Sequence, residues 1–263
     1  MINMSCFGLC EDIKSLCETG KFSDVTLDVD GVEYKVHKLI LASRCPYFET
    51  MLYGQTEESK MDVIPMNPTS EKAFELTLKY IYTGHIDDTC LTIDDLIDVI
   101  RLADEYLFTK LVEYAVSKID MKRIDNEKLI EIYDFSKTFN ILQLSRKCLD
   151  RFDEQAENLV LNQNIFCKFS VSLLCELLSR DSFHSNEYDI LKSLMKWIEV
   201  NEYVGSAKKL LGLIRWNFIT AVDKLKIIES STFLKPAHFI TIITNCTLPP
   251  RSNPSCADCC EGD

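Results

Sequence analysis

Apolar and polar residues alternate along Val25–Val36, in the stretch VTLDVDGVEYKV. A period of two predicts a β-hairpin with one buried face and one solvated face. Asp30 and Gly31 interrupt the alternation, and this dipeptide supplies the positive φ angles that a primed two-residue turn needs. A shorter apolar run, MDVIP at residues 61–65, predicts a further strand. The first part of the chain is therefore expected to contain a small β-sheet.

Elsewhere the apolar residues recur at spacings of three and four, which is the period of an amphipathic helix. Up to about residue 120 such segments are interleaved with the predicted strands. From about residue 125 onward we find no convincing strand, and the predicted helices are Asn126–Phe139, Leu142–Phe152, Ser170–Ser179, Asn186–Asn201 and Thr220–Ile228. The fold class is therefore expected to be α+β, with helices around a small sheet followed by an all-α helical domain.

The composition changes near residues 121–126, and this change predicts a domain boundary there. We expect an N-terminal helical region at residues 1–22, an α+β domain at 23–120 and a helical domain at 121–246. The remaining residues, 247–263, are rich in Pro, Ser and Cys and show no periodicity. They are predicted to form a disordered tail.

The chain is acidic, with a formal net charge of −12 at pH 7. Nucleic acids and anionic membranes are bound through Lys and Arg, so the charge argues against both as partners and suits a basic protein. Neither a signal peptide nor an apolar run long enough to span a membrane is evident. Most of the 12 cysteines are scattered singly, as in proteins with reduced thiols. We expect a cytoplasmic protein, with the nucleus also open.

The sequence contains no pattern typical of catalysis. A phosphate-binding glycine loop, a nucleophile elbow and a His-Glu-x-x-His zinc motif are all missing. Cys256, Cys259 and Cys260 form CADCC, but zinc needs four ligands, and neither a second cysteine pair nor a histidine pair lies nearby. We therefore expect no metal, no cofactor and no enzymatic activity.

Several motifs together resemble a known family. The order and spacing of SDVTL, HKLILA, CPYF and YIYTG are similar to those of a BTB/POZ domain, over about residues 10–120. The helices that follow resemble a BACK domain, above all in the segment LLSRDSFHSNEYDILKSLMKW. Within the family, the BTB part is most similar to the subgroup whose third module is a pair of discoidin-like domains. Only residues 247–263 follow Cys246, so we expect a short form without that third module.

The resemblance implies a function in protein recognition. BTB-BACK proteins of this kind form homodimers that bind cullin-3 and act as substrate adaptors of an E3 ubiquitin ligase. The implied partners are a second copy of the chain, cullin-3 and an unidentified substrate protein. An alternative is a dimerising scaffold that does not ligate and competes with longer relatives.

The family docks cullin-3 through a loop motif of the form hydrophobic–any–Glu, which follows the third helix. By position, Thr56 takes the hydrophobic place and Glu58 the acidic place in the loop YGQTEES. Losing most of a Met-sized contact at Thr56 is expected to cost about 1–2 kcal/mol. Tyr82, in YIYTG, is expected to add contact area; its alternative interpretation is packing at a helix end.

Two further sets of residues follow from the resemblance. Ile13, Leu16 and Cys17 lie at i, i+3 and i+4 of a predicted first helix and form one apolar stripe. We expect this stripe to mediate dimerisation; the alternative is packing on its own domain. Asp24 and Lys38 take the places of a paired acidic and basic residue that the family has in a groove of the BTB domain near the dimer interface. The alternative is that they form an ordinary structural ion pair.

Three more residues are expected to be structural. His37 precedes a buried helix and is predicted to be a hydrogen-bonded core histidine. Trp197 and Trp216 are most simply explained as core aromatic residues of the helical domain.

Overall fold

The computed structural model of the protein describes residues 4–86, 91–202, 207–231, 235–245 and 248–251. The chain divides into two compact units, Met1–Ile119 and Asp120–Asp263, and the division falls within two residues of the boundary expected from the composition. None of the described helices is long and apolar enough to cross a membrane. Among the same residues, no group of three His, Cys, Asp or Glu side chains is arranged to hold a metal ion. The CADCC cysteines lie outside the described residues.

The first unit is built on a three-stranded sheet with the order β2-β1-β3. Strands β1 (Val25–Val29) and β2 (Val32–Val36) are antiparallel and form the predicted hairpin. Strand β3 (Val63–Pro65) lies parallel to β1, with Ile64 opposite Leu27. Both of these side chains are fully buried, because alternate positions of β1 face the core. The predictions of a hairpin and of a separate short strand are confirmed.

The hairpin turn uses the backbone conformation that its sequence predicts. Asp30 has a φ of +50° and Gly31 a φ of +86°. The amide of Gly31 donates a hydrogen bond to Oδ1 of Asp28 at 2.8 Å, so a side chain of β1 stabilises the turn. Local sequence alone fixes this part of the fold.

Helices surround the sheet of the first unit. They are α1 (Met4–Thr19), α2 (Lys38–Arg44), α3 (Pro46–Tyr53), α4 (Glu71–Thr83), α5 (Ile93–Glu105) and α6 (Thr109–Lys118). Proline at the first position of α3 ends α2 and starts α3, because its ring cannot continue the preceding helix. Their largest fully buried side chains include Phe48 and Phe74, which together with Leu27 and Leu41 belong to the core of this unit.

The second unit is helical throughout its described residues. Its helices are α7 (Asn126–Thr138), α8 (Leu142–Glu154), α9 (Ala156–Leu161), α10 (Gln163–Phe166), α11 (Val171–Ser179), α12 (Glu187–Val200), α13 (Ala207–Leu211), α14 (Ala221–Ser230) and α15 (Pro236–Thr244). Trp197 and Trp216 are buried, as predicted. Their indole N–H groups donate to the carbonyl oxygens of Phe169 and Leu211, each at 2.9 Å. A buried indole needs such an acceptor.

The expectation of a disordered tail from residue 247 is wrong for Leu248–Arg251. Arg251 is buried in the second unit, and its guanidinium donates to Glu187, Leu178 and Arg180. The sequence periodicity could not reveal this, because a single long side chain makes the attachment. Residues 252–263 lie outside the described residues.

In the first unit, a buried histidine joins three segments. His37 Nε2 lies 2.7 Å from the carbonyl oxygen of Lys21, and Nδ1 lies 2.8 Å from the hydroxyl of Tyr82. The backbone amide of His37 also donates to that hydroxyl at 3.0 Å. A carbonyl oxygen can only accept, so Nε2 carries the proton and Nδ1 accepts from the O–H of Tyr82. The prediction of a hydrogen-bonded core histidine is confirmed.

Replacing Tyr82 by Phe tests how much this contact contributes. Y82F leaves the amide and Nδ1 of His37 buried without a partner, and we expect a loss of about 1–3 kcal/mol in the free energy of unfolding of the first unit. Native-state hydrogen exchange at the amide of Leu27 measures that free energy. The matched control is Tyr53→Phe, because Tyr53 is exposed and its change should stay within about 0.5 kcal/mol. Equal effects of the two substitutions would contradict the prediction.

Candidate protein-interaction site

The loop between α3 and β3 is held by the hydroxyl of Thr56. Thr56 Oγ1 donates to the carbonyl oxygen of Met51 at 2.8 Å and accepts from the amide of Ser59 at 3.2 Å. The hydroxyl of Ser59 donates back to the carbonyl oxygen of Thr56 at 2.8 Å. These bonds satisfy a carbonyl at the end of α3 and shape the 3₁₀ turn Glu58–Lys60. The polar group that replaces the family's apolar side chain is therefore already bonded within the loop.

Glu58 opens this turn and keeps its carboxylate available. Its side chain makes no hydrogen bond or ion pair with another described residue, whereas Lys60 is paired with Glu57 at 3.4 Å. Burial raises the pKa of the Tyr47 phenol, and the carboxylates of Glu105 and Glu58 raise it further.

Exposed apolar side chains lie at the end of α3 and directly after α5. The ring of Tyr47 stacks on that of Tyr106, with 4.7 Å between the centroids. The next residue, Leu107, has a φ of +51° and is 76% exposed. Leu107 and Glu49 line one cleft of about 300 Å³ together with Arg44 and Lys110, so this cleft carries charges of both signs. Tyr53 follows Glu49 by one helical turn of α3 and is also exposed.

We call Glu49, Tyr53, Thr56, Glu58 and Leu107 the docking face. It combines two exposed apolar side chains with acidic ones, which suits a partner that offers a basic rim around an apolar contact. Sequence analysis found Thr56 and Glu58 but missed Tyr53 and Leu107. The signal for Tyr53 was present, since the buried residues of α3 are Phe48, Met51 and Leu52 and Tyr53 falls outside that stripe. Leu107 gave no such signal, because only the left-handed turn after α5 directs it outward.

Tyr82 does not belong to this face. Its side chain is only 6% exposed, and its hydroxyl is bonded to His37 inside the first unit. Burial raises the pKa of this phenol above its ordinary value. The arrangement matches packing at a helix end, which was the alternative interpretation of Tyr82. The periodicity of α4 was compatible with both, and only the position of His37 distinguishes them.

The apolar stripe of α1 is shared between its own unit and the solvent. The helix packs against α4, and Ile13, Leu16 and Cys17 are each half-buried. Burial raises the pKa of the Cys17 thiol. The stripe therefore packs partly on its own domain and leaves some apolar surface uncovered. Dimerisation through these three residues stays a prediction.

Asp24 and Lys38 meet, but through the backbone of Lys38. Oδ1 of Asp24 accepts a hydrogen bond from the Lys38 amide at 2.7 Å. That amide opens α2, and the N-cap residue, His37, makes no side-chain cap. The carboxylate therefore takes the place of a cap and lies where the helix dipole favours negative charge. The two predicted residues are therefore in contact, but Asp24 binds the backbone amide of Lys38 and not its side-chain ammonium group.

Two strongly exposed apolar residues near this cap were missed by sequence analysis. Phe22 is 88% exposed and has a φ of +64°, and Leu39 is also exposed on the first turn of α2. Their segments are joined by the bonds from Lys21 to His37 and from Asp24 to Lys38. An exposed aromatic ring on a backbone with positive φ is uncommon on a protein surface that binds no partner.

Known proteins resemble both units. Residues 13–123 match the family model of the BTB/POZ domain, and residues 129–229 match the family model described as BTB And C-terminal Kelch, the BACK domain. The chain is 30% identical over 236 residues to BTB/POZ domain-containing protein 9 of Homo sapiens, covering 89% of this chain and 38% of that protein. The protein of the same name from Drosophila melanogaster is 31% identical over 245 residues, covering 92% of this chain and 33% of that protein.

Two further matches are more distant. Kelch repeat and BTB domain-containing protein 2 of Homo sapiens is 27% identical over 195 residues, covering 73% of this chain and 30% of that protein. The solved BTB domain of human Gigaxonin is 29% identical and covers 42% of this chain and 89% of that one, with a TM-score of 0.36. The chain spans less than two fifths of the length of the curated relatives it matches. An α+β BTB unit followed by a helical BACK unit is an architecture of protein interaction, and the chain belongs to the BTB-BACK family.

Proposed function

We propose that this chain is a dimeric, non-enzymatic adaptor that binds the N-terminal domain of cullin-3 through the docking face. In this role it places a recruited protein in an E3 ubiquitin ligase complex of the cytoplasm or nucleus. The observation that carries the proposal is the carboxylate of Glu58, which makes no hydrogen bond or ion pair with another described residue and stands in the loop that the hydroxyl of Thr56 holds.

Charge supports a basic partner for this face. Glu49, Glu57, Glu58 and Glu105 all lie on or beside it, and the whole chain carries a net charge of −12. Only Glu57 is paired with a lysine, and that pair is exposed. Acidic residues around an apolar contact speed association with a basic surface and select against acidic ones. The association rate should therefore fall as salt is raised.

Thr56 sets the strength expected of the contact. A methionine in this position buries more apolar area than threonine, a difference of about 1–2 kcal/mol. Against this, substitution removes the bonds of Thr56 Oγ1 to Met51 and Ser59, each contributing about 0.5–1.5 kcal/mol. The gain in apolar burial and the loss of the two hydrogen bonds are of similar size and opposite sign. A comparison of T56M with wild type therefore does not isolate the apolar contact. Thr56→Val removes the same bonds without adding length, and it is the better reference.

The first test compares two substitutions at residue 56. We expect T56M to bind the N-terminal domain of cullin-3 about tenfold more tightly than T56V, because only methionine restores the apolar contact. Isothermal titration calorimetry with the purified full chain measures both dissociation constants. Equal affinities of T56M and T56V would remove Thr56 from the docking face.

Glu58 provides a control in the same loop. Glu58→Gln keeps the shape of the side chain and removes its charge, so the dissociation constant should rise and lose part of its salt dependence. Glu57→Gln changes the neighbouring, lysine-paired carboxylate and should have a smaller effect. If the dimeric wild-type chain shows no detectable binding, the cullin proposal fails.

Self-association is the second element of the proposal. The α1 stripe is half-buried, the exposed Phe22 follows shortly after the end of α1, and Leu39 is exposed on the first turn of α2. A second copy of the chain offers the same apolar groups, which is what a two-fold symmetric contact requires. We therefore add Phe22 and Leu39 to Ile13, Leu16 and Cys17 as the dimerisation surface.

Phe22→Asp tests this surface. It removes the exposed aromatic ring and puts a charge into the contact, so we expect the dissociation constant of the dimer to rise by at least about tenfold. Light scattering after size-exclusion chromatography, over a range of concentrations, measures the change. Leu107→Asp is the matched control, because Leu107 is exposed near the other end of α2. L107D should leave the dimer intact and weaken cullin binding. If L107D dissociates the dimer and F22D does not, Phe22 does not belong to the dimerisation surface and Leu107 does.

A second function is favoured by one observation. The hydroxyl of Thr56 is already bonded within the loop, and the apolar group of the family motif is missing. This suits a scaffold that dimerises with longer relatives and competes with them without binding cullin-3. Co-expression with a longer BTB-BACK protein distinguishes the two functions: a heterodimer that lowers ubiquitylation supports the competitor, and one that raises it supports the adaptor.

A further inference from the structure

The segment after α15 is fastened to the second unit by two arginines, of which Arg251 belongs to the segment itself. Leu248–Arg251 has no regular secondary structure, yet the side chain of Arg251 is only 2% exposed. Its Nε donates to Oε1 of Glu187 at 2.6 Å, at the start of α12. Its Nη1 donates to the carbonyl oxygens of Leu178 and Arg180, at 3.1 and 2.7 Å. The guanidinium thus binds acceptors in two directions.

The acceptors for Arg251 come from the end of a helix. Helix α11 ends at Ser179, and the last carbonyls of a helix have no partner within it. The negative end of the helix dipole also points at this position and favours a cation there. Glu187 adds a full negative charge from the next helix. We call this group of acceptors, formed by Leu178, Arg180 and Glu187, the arginine socket.

A second arginine holds the backbone of the same segment. Arg215 Nε donates to the carbonyl oxygen of Pro249 at 2.6 Å, and its Nη2 donates to Asp181. The amide of Arg215 donates to Oε2 of Glu187 at 3.1 Å, so the two carboxylate oxygens of Glu187 serve both arginines. The segment is therefore held at two points, its side chain by the socket and its backbone by Arg215.

Burial makes these contacts interdependent. Burial lowers the pKa of Arg251, and the nearby carboxylate of Glu187 opposes that shift. A buried cation that loses its partner cannot remain in place, so Arg251 is stable in the socket only while its acceptors are in position. Lysine cannot replace it, because a single ammonium nitrogen cannot reach both Glu187 and the two carbonyls in the geometry of the guanidinium fork.

We propose that the arginine socket locks the chain leaving the BACK domain onto the ends of α11 and α12. Whatever follows residue 251 then starts from a fixed point and direction on the second unit, rather than from a flexible linker after α15. The lock does not depend on cullin binding, since all its residues belong to the second unit. Its failure would leave the docking face untouched.

Trypsin cleavage of the full chain tests the lock. Trypsin must take the side chain of Arg251 into its own pocket to cut the bond that follows, so a socketed Arg251 resists cleavage. Arg123 is the reference site, because its side chain is 87% exposed. In the wild type we expect cleavage after Arg251 to be on the order of 100-fold slower than after Arg123. Mass spectrometry of timed samples gives both rates.

Arg251→Lys keeps a trypsin site and removes the guanidinium fork. In R251K, cleavage after residue 251 should accelerate by roughly 10- to 100-fold, since opening no longer breaks the full set of charged hydrogen bonds. Arg123→Lys is the matched control and measures the preference of trypsin between Arg and Lys on the same chain. Circular dichroism confirms that both variants remain folded.

Two outcomes overturn the lock. Wild-type cleavage after Arg251 at the rate seen after Arg123 shows that the segment is free, and this result stands even if R251K fails to fold. Equal protection in wild type and R251K shows that the guanidinium is not what holds the segment. Protection in the wild type that is lost in R251K, with the R123K control unchanged, supports the socket.

Discussion

The hydrogen bonds of His37 join the segment before β1, the start of α2 and the end of α4. Each of these groups is buried away from water and has to find its partner inside the unit. Once Nε2 is bonded to Lys21 and Nδ1 to Tyr82, the segment from residue 21 to 24 is fixed beside α2. Asp24 can then cap that helix, and Phe22 is left on the outside. The proposed dimerisation surface thus depends on a polar contact in the core.

The same constraint organises the second unit. Glu187 is buried and carries a charge, so it requires the two arginines that surround it, Arg215 and Arg251. The unpaired carbonyls at the end of α11 require donors, and the same guanidinium groups supply them. In both units, a buried polar group that must be satisfied determines where an irregular segment of chain lies. In the first unit, that segment presents the exposed ring of Phe22.

The docking face shows which features sequence reasoning could propose and which it could not; docking through Thr56 and Glu58 stays a prediction. Glu58 could be placed from the loop motif, because loop position follows from the predicted end of α3 and the start of β3. Tyr82 was misjudged, because the periodicity of α4 cannot distinguish a residue facing His37 from one facing a partner. Leu107 was missed, because its exposure follows from one left-handed backbone angle after α5. Arg251 was assigned to a tail, because composition reports average polarity and not a single buried side chain.

The sequence by itself determined the features that depend on local chemistry and on the period of apolar residues. These are the hairpin and its Asp30-Gly31 turn, the change from α+β to all-helical structure near residue 120, and the family motifs. Only the tertiary structure decided which polar side chains are used internally and which remain free. Thr56, Tyr82 and Arg251 form hydrogen bonds within their own unit, although Nη2 of Arg251 is buried without a partner, whereas the side chain of Glu58 forms none with the described residues. Such choices depend on partners distant in sequence, and no local pattern encodes the distance between them.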